Sequence, residues 1–257
     1  MGFKSVQDIH LASFNSSISS QFLDDFTTML DNTILEKEQT MPSRTFAPSS
    51  IRCKRISWFR LRGVEPEKEV VVDRGLQFRA DMGTACHHII QSTLINSLGE
   101  DWIDVRDYLA KLNPPYKYTC EQLGFETRIE IEDPPIKFAP DGIIRYKDKL
   151  RLFEIKSSEH SSFVELKEPK PVHVDQIKCY GTLLDLPDAL VLYQDRQYGD
   201  LKCYEFNITD SDMKSTWNMF DEVRRYVDMN IAPPKLPKGD PWCSPAHCRY
   251  FNKCKEW

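Results

Sequence analysis

The stretch at residues 139–157 leaves the chain few choices. It reads Ala-Pro-Asp-Gly-Ile-Ile-Arg-Tyr-Lys-Asp-Lys-Leu-Arg-Leu-Phe-Glu-Ile-Lys-Ser. Two apolar runs, 143–146 and 150–155, flank a charged turn at 147–149, a pattern that predicts a β-hairpin. Pro140-Asp141-Gly142 punctuates the backbone just before the first run. Glu154 and Lys156 are two apart, so they share one face of the second strand, and Phe153 and Ile155 take the other. In-register pairing then brings Asp141 near Glu154. Two acids and a lysine converge at one end of the hairpin.

Two close carboxylates repel unless a cation lies between them. A hard divalent ion with oxygen ligands, Mg²⁺ or Mn²⁺, suits that position. Such an ion can polarise a phosphoryl oxygen and help make hydroxide from water. Lys156 would orient that water or stabilise charge growing on the phosphate. On these residues alone, a surface hairpin with a weak Glu–Lys pair fits the same letters.

Pro140-Asp141, a gap, and then Glu154-Ile155-Lys156 resemble the PD-(D/E)xK signature of a nuclease superfamily. Other pieces resemble its RecB-like branch. Gly83-Thr84-Ala85-Cys86-His87 is similar to the upstream GxxxH motif, and Gln176-Ile177-Lys178-Cys179-Tyr180 to the downstream QxxxY motif. Cys53, with Cys243, Cys248 and Cys254, resembles the iron–sulfur staple of some members, among them the AddB subunit of bacterial helicase–nucleases and the fourth CRISPR-associated protein. Together the motifs cover most of the chain. The resemblance implies a DNA exonuclease that hydrolyses phosphodiester bonds at DNA ends or in single strands. Asp141 and Glu154 would ligate Mg²⁺ or Mn²⁺, with His87 and the Ile155 carbonyl as further ligands. Lys156 would position the attacking water, and Gln176 and Tyr180 would support the site. The four cysteines would hold a 4Fe–4S cluster, with Zn²⁺ as the alternative. Relatives carry two residues between the first pair of C-terminal cysteines. This chain carries four, and His247 is a substitute ligand to weigh.

The chain has 257 residues, 40% of them hydrophobic, and a net charge of −5. That suffices for one core with a small appendage. An acidic balance argues against a bulk nucleic-acid coat. Arg44, Arg52, Lys54, Arg55, Arg60 and Arg62 still cluster, either as a backbone-tracking patch or as a solvated helix face. No apolar run reaches membrane-spanning length, and the N-terminus lacks the apolar core of a signal peptide, so a cytoplasmic location is expected, host cytoplasm if the chain is viral. Eight cysteines in such a compartment point to metal or chance. Cys86, Cys120, Cys179 and Cys203 sit in apolar or amphipathic runs and read as small core residues.

Periodicity predicts helices near 19–37, 48–61 (with Cys53 in its first turn), 83–98, 102–112 and 174–184. In the third, Ala85, Ile89, Ile90, Leu94 and Leu98 form the expected buried stripe, and His88 should point about 100° from His87. Another helix is expected after Thr209, capped by Thr209 with Asp212 at the third position and ending near 230. Strands are expected near 124–132, 138–146, 150–156, 188–194 and 201–208. A polar connector is expected at 64–79 and a long polar loop at 157–171. Glu126 and Glu130 read as solvated and stay outside the main ligand set.

The fold class that follows is α/β, a mixed central sheet flanked by helices; the resemblance makes it restriction-endonuclease-like. Its N-terminal helical region would be tied to the C-terminal tail by the metal cluster. Four regions are expected: an arm at 1–45, a helical region at 46–123 with the first cluster cysteine, a nuclease core at 124–230, and a cysteine-rich tail at 231–257. The arm is the contact candidate for a protein partner in a recombination or CRISPR complex. A non-catalytic DNA-end binder or helicase-partner iron–sulfur protein is the rival reading.

Overall fold

The structure is a computed structural model, and it describes residues 21–38, 43–67, 74–245 and 247–257. Most of the expected arm and the middle of the connector lie outside the described residues. The chain divides into a small unit, Met1–Thr40 with Val70–Phe78, and a large one, Met41–Glu69 with Arg79–Trp257.

In the small unit, α1 (Gln21–Glu38) forms where helical spacing predicts it. Its Phe22, Leu23, Phe26 and Leu30 are exposed, and the Phe22 and Phe26 rings stack at 5.9 Å. Arg74 holds Asp31 through two bonds of 2.6 and 2.8 Å.

The large unit holds two sheets. Expectation placed one strand at 138–146, but Pro140, which has no N–H to give a ladder, divides it. The short strand before it, β4 (Ile136–Phe138), shares only Phe138 with the expected span and pairs with β3 (Glu126–Ile131), which pairs with β2 (Tyr118–Leu123) in an antiparallel sheet of its own. The strand expected at 124–132 therefore forms, but outside the central sheet. The central sheet has the order β1-β5-β6-β7-β8, with β1 (Trp102–Ile103), β5 (Gly142–Tyr146), β6 (Lys149–Ser158), β7 (Asp188–Asp195) and β8 (Leu201–Asn207). Only β6 and β7 run parallel, so the sheet is mixed.

The predicted hairpin is β5–β6. Tyr146 pairs with Lys149, and the two turn residues Lys147 and Asp148 both have positive φ, 51° and 59°. That is the backbone a two-residue hairpin turn requires for its twist to match the strands. The turn fixes the register, which pairs Gly142 with Phe153 and sets Asp141 opposite Glu154.

Helices cover both faces of the sheet. α3 (Arg74–Leu98) lays Ile90, Leu94 and Leu98 on Ile144, Phe153, Ile155 and Leu190. On the other face, α6 (Pro171–Leu184) and α7 (Asp210–Asp228) build the main core around Ile143, Leu152, Ile177, Leu183, Val191 and Phe220. α7 opens on the predicted capping box: Thr209 accepts from the Asp212 N–H, and Asp212 accepts from the Thr209 N–H.

Several expectations are corrected. α2 (Lys54–Leu61) is shorter than 48–61 because Ser50 bonds back to the Ala47 carbonyl and closes a separate short turn; Cys53 is the residue before the helix, in extended backbone. α3 keeps the predicted Ile90, Leu94 and Leu98 against the sheet but leaves Ala85 and Ile89 exposed and buries Cys86 and Gln91. α4 (Val105–Leu112) starts later than expected, where the Asp104 carboxylate caps the Arg106 and Asp107 N–H groups. The loop expected at 157–171 contains the end of β6 and α5 (His160–Glu165). Cys203 lies exposed on β8, not in the core. No described helix is long and apolar enough to cross a membrane.

The basic cluster at 44–62 is largely engaged in packing. Arg55 is buried and donates to the Cys254 and Trp257 carbonyls. Arg52 bridges Asp175 and Asp240, Lys54 meets Glu222, and Arg62 stacks over Trp58 and Trp257.

Candidate active site and a cysteine-lined pocket

Asp141 sits just before β5, and three contacts hold it. Its Oδ2 accepts the Ile155 N–H at 2.6 Å, its Oδ1 meets His87 Nδ1 at 3.0 Å, and its carbonyl accepts from Gln91 Nε2 at 2.8 Å. His87 and Gln91 are four apart on α3, so one helix face grips both ends of this residue. Gly142 beside it is obligatory for space: a Cβ there would meet the Trp102 ring at 2.4 Å.

Glu154 is almost fully buried, at 2% exposure. Its Oε1 accepts from Lys156 Nζ at 2.6 Å, and its Oε2 has no hydrogen-bond partner among the described residues. Burial, then the Asp141 charge, pushes the Glu154 carboxyl up to about 7. Lys156 also donates to Gln176 Oε1 at 3.0 Å, and Gln176 Nε2 donates to the Tyr180 hydroxyl at 2.9 Å. Burial lowers the Lys156 ammonium, but Glu154 and Asp141 outweigh it and hold the group above its ordinary value. Burial likewise opposes protonation of His87, and the hydrogen bond and charge of Asp141 reverse the balance. Tyr180 is raised by burial. Lys156 is therefore charged and anchored on two oxygens.

The predicted set thus comes together: His87, Asp141, Glu154, Lys156, Gln176 and Tyr180 form one connected network. Ile155 contributes its N–H. In an extended strand a residue's N–H and C=O point to the same side, so the Ile155 carbonyl faces the Asp141 side as well. His88 turns away and packs its ring on Phe125 at 5.6 Å.

Two residues go beyond the predicted set. Glu126, read from sequence as solvated, offers a carboxylate oxygen within 4.8 Å of ligand atoms of both His87 and Asp141. Burial and then the Asp141 charge raise its pKa, the mark of a carboxylate facing its own kind. Gln91 carries no motif; its only signal is the four-residue step from His87.

The donor set fits a hard divalent cation. Two carboxylates, Glu126 and Asp141, and the His87 imidazole place ligand atoms within 4.8 Å of one another; Glu154 lies outside that set, and its Oε2 is a buried acceptor with no hydrogen-bond partner among the described residues.

The four tail-related cysteines also converge, lining one pocket with Phe59, Tyr250 and others. Cys53 is raised by burial first, with the Cys254 and Cys243 charges adding to it, and Cys248 responds to all three others. Thiols that disfavour one another's ionisation in this way fit a shared cationic centre. Arg55 Nη1 lies 3.4 Å from Cys254 Sγ. His247 bonds Ser244 and packs on Trp242 and is not among the pocket's walls.

No family model matches the sequence, and no curated protein sequence matches it. Among solved structures the chain is similar to SSO0001, at 17% identity and a TM-score of 0.49 over 89% of this chain and 96% of that one. It is also similar to an alkaline exonuclease, LHK-Exo, from Laribacter hongkongensis, at 13% identity and a TM-score of 0.45 over 74% of this chain and 90% of that one. The same exonuclease in complex with dAMP gives 12% identity and a TM-score of 0.42 over 73% of this chain and 89% of that one.

Proposed function

We propose that this chain is a divalent-metal-dependent deoxyribonuclease that hydrolyses phosphodiester bonds at DNA ends or in single strands. The observation that carries the reading is Glu154: a buried carboxylate beside Asp141 with one oxygen left unpaired. Burying such a group without a partner costs free energy that a bound cation would recover.

Asp141, Glu154 and His87 would hold Mg²⁺ or Mn²⁺, with Glu126 and the Ile155 carbonyl completing the set. Bound there, the ion would supply Lewis-acid polarisation of a phosphodiester oxygen and neutralise charge. The protein's own part is positioning. Lys156 presents a fixed positive charge to the attacking water and the reacting phosphate. Gln176 limits where Nζ can sit, and Tyr180 fixes Gln176 in turn. Asp141 is clamped from the backbone of the strand that carries Glu154, so the two acids keep their spacing as substrate arrives.

Cys53, Cys243, Cys248 and Cys254 would hold a 4Fe–4S cluster whose role is structural. Four thiols lining one pocket suit either group, with the 4Fe–4S cluster as the leading reading and Zn²⁺ as the alternative.

A fluorescent single-strand cleavage assay tests the enzyme reading. Cleavage is expected with Mn²⁺ or Mg²⁺ and none with EDTA. Metal-independent cleavage, or binding without cleavage in every divalent metal tried, would overturn it. An anaerobic absorption spectrum with metal analysis tests the cluster: iron with sulfide absorption is expected, and zinc would replace it.

A further inference from the structure

Beyond Lys156, the catalytic face of the sheet continues into a cluster that the proposed reaction does not use. Lys156 is level with Tyr193 across the parallel ladder, and Ser158 with Asp195. Residues two apart share a face, so Asp195 lies one step of ~6.6 Å past Tyr193 on the Lys156 side. That step is comparable to one backbone unit of an extended nucleic-acid strand. The carboxyl ends of parallel strands are also where open α/β sheets receive ligands.

The cluster there is built, not incidental. Asp195 is fully buried and holds His160 Nδ1 at 2.6 Å, while the His160 side chain is 41% exposed. A buried carboxylate that engages one ring nitrogen leaves Nε2 for a ligand. Asp195 also accepts the Gln197 N–H at 2.8 Å, which shapes the turn carrying Tyr198. Tyr198 is 64% exposed, yet its ring is braced edge-on by His160 at 4.7 Å and its hydroxyl by Gln197 Nε2 at 3.1 Å. At the rim, Arg196 and Arg79 approach the single exposed carboxylate of Glu159 at 3.5 and 4.0 Å.

We propose that the carboxyl ends of β6 and β7 form a subsite for the nucleotide adjoining the cleaved bond, in which Tyr198 stacks a base of single-stranded DNA and His160 contacts its phosphate. This rests on the nuclease reading. An exposed, braced aromatic beside positive charge is how strands are bound without regard to sequence. Arg196 adds the salt-sensitive attraction for the backbone.

The test is fluorescence anisotropy of a short labelled oligothymidylate with the full chain in EDTA, paired with steady-state cleavage in Mn²⁺. Tyr198→Ala should weaken binding about tenfold and raise KM in step, while Tyr198→Phe, which keeps the ring, should bind like the wild type. Arg196→Ala should flatten the logarithmic salt dependence by about one unit. Tyr198 is exposed, so loss of folding does not confound the comparison. If the wild type cleaves and Tyr198→Ala and Arg196→Ala bind as it does, the subsite is refuted and the nuclease reading stands. If the wild type neither binds nor cleaves DNA, both fall.

Discussion

At the hairpin, nearly every polar atom of the acid–lysine network is already held by protein. Asp141 has the Ile155 N–H, His87 and Gln91; Lys156 has Glu154 and Gln176. The cysteine pocket differs. Its thiols meet scattered donors, the Arg55 and Ile56 N–H groups at Cys53, the Tyr250 N–H at Cys248 and the Arg55 guanidinium at Cys254, and the tail around them carries no described strand or α-helix, only the short 3-10 turn at Lys253–Lys255. What fastens the tail is in the pocket wall and next to it: Phe59 stacked on Tyr250 at 5.0 Å, Trp58 against Trp257 at 5.2 Å, and Glu67 accepting the Lys253 N–H at 2.7 Å. The first region takes its geometry from strand register. The second takes it from aromatic contacts and from hydrogen bonds that Arg55 and Glu67 make to the tail backbone.

The sharpest way to break that comparison is at the hairpin itself. Asp141→Ala or Lys156→Ala should lower kcat by at least about a thousandfold, since each removes a group fixed on the reacting centre. Both should keep a cooperative melt, because the register comes from the turn. Substantial activity in either variant, with contaminating nucleases excluded, would break the comparison. The cysteine region should answer the other way. Cys53→Ser should cost about 3 kcal/mol by opening a very long closed loop, seen as a lower Tm and faster proteolysis of the tail. Cleavage at low temperature should survive, and an activity loss equal to that of Asp141→Ala would erase the distinction.

Glu126→Gln sharpens the boundary of the first region. It should raise the Mn²⁺ needed for half-maximal activity by about 10–100-fold, as read from a metal titration; an unchanged titration would return Glu126 to the solvated set. The smallest effect is on pH. The Glu154 carboxyl moves from its ordinary 4.5 up to about 7, through burial and the Asp141 charge. The folded, metal-stripped chain therefore keeps a proton that the unfolded chain has released. Stability conferred by that difference is complete below pH 4.5 and is lost as pH rises through about 7. His87, also raised, acts in the same direction. In EDTA, Tm should fall by a few degrees over this range, and Mn²⁺ should restore more of it at the higher pH. A Tm that rises with pH in EDTA would count against the buried acid pair.

The hairpin and its register were legible because they are local: a two-residue turn and strict alternation place Asp141, Glu154 and Lys156 without help from the rest of the chain. The Thr209 capping box was legible for the same reason. Glu126 was not, because its approach to His87 depends on a second sheet whose separation from the first no alternation pattern encodes. α3 was misread at one turn because two of its faces are apolar. Ile90, Leu94 and Leu98 face the sheet, while Phe78, Met82 and Ile89 do not, and spacing alone ranks the two faces nearly equally. The basic cluster read equally as a backbone-tracking patch or a solvated helix face because a sequence shows charges and not their partners; Asp175, Asp240 and Glu222 lie far downstream.

The contact between Arg55 and Cys254 joins residues 199 positions apart. A ribosome adding roughly 5–20 residues per second must run for tens of seconds after making the first before it makes the second. Both sheets are synthesised in that interval, so this contact closes only around strands that already exist.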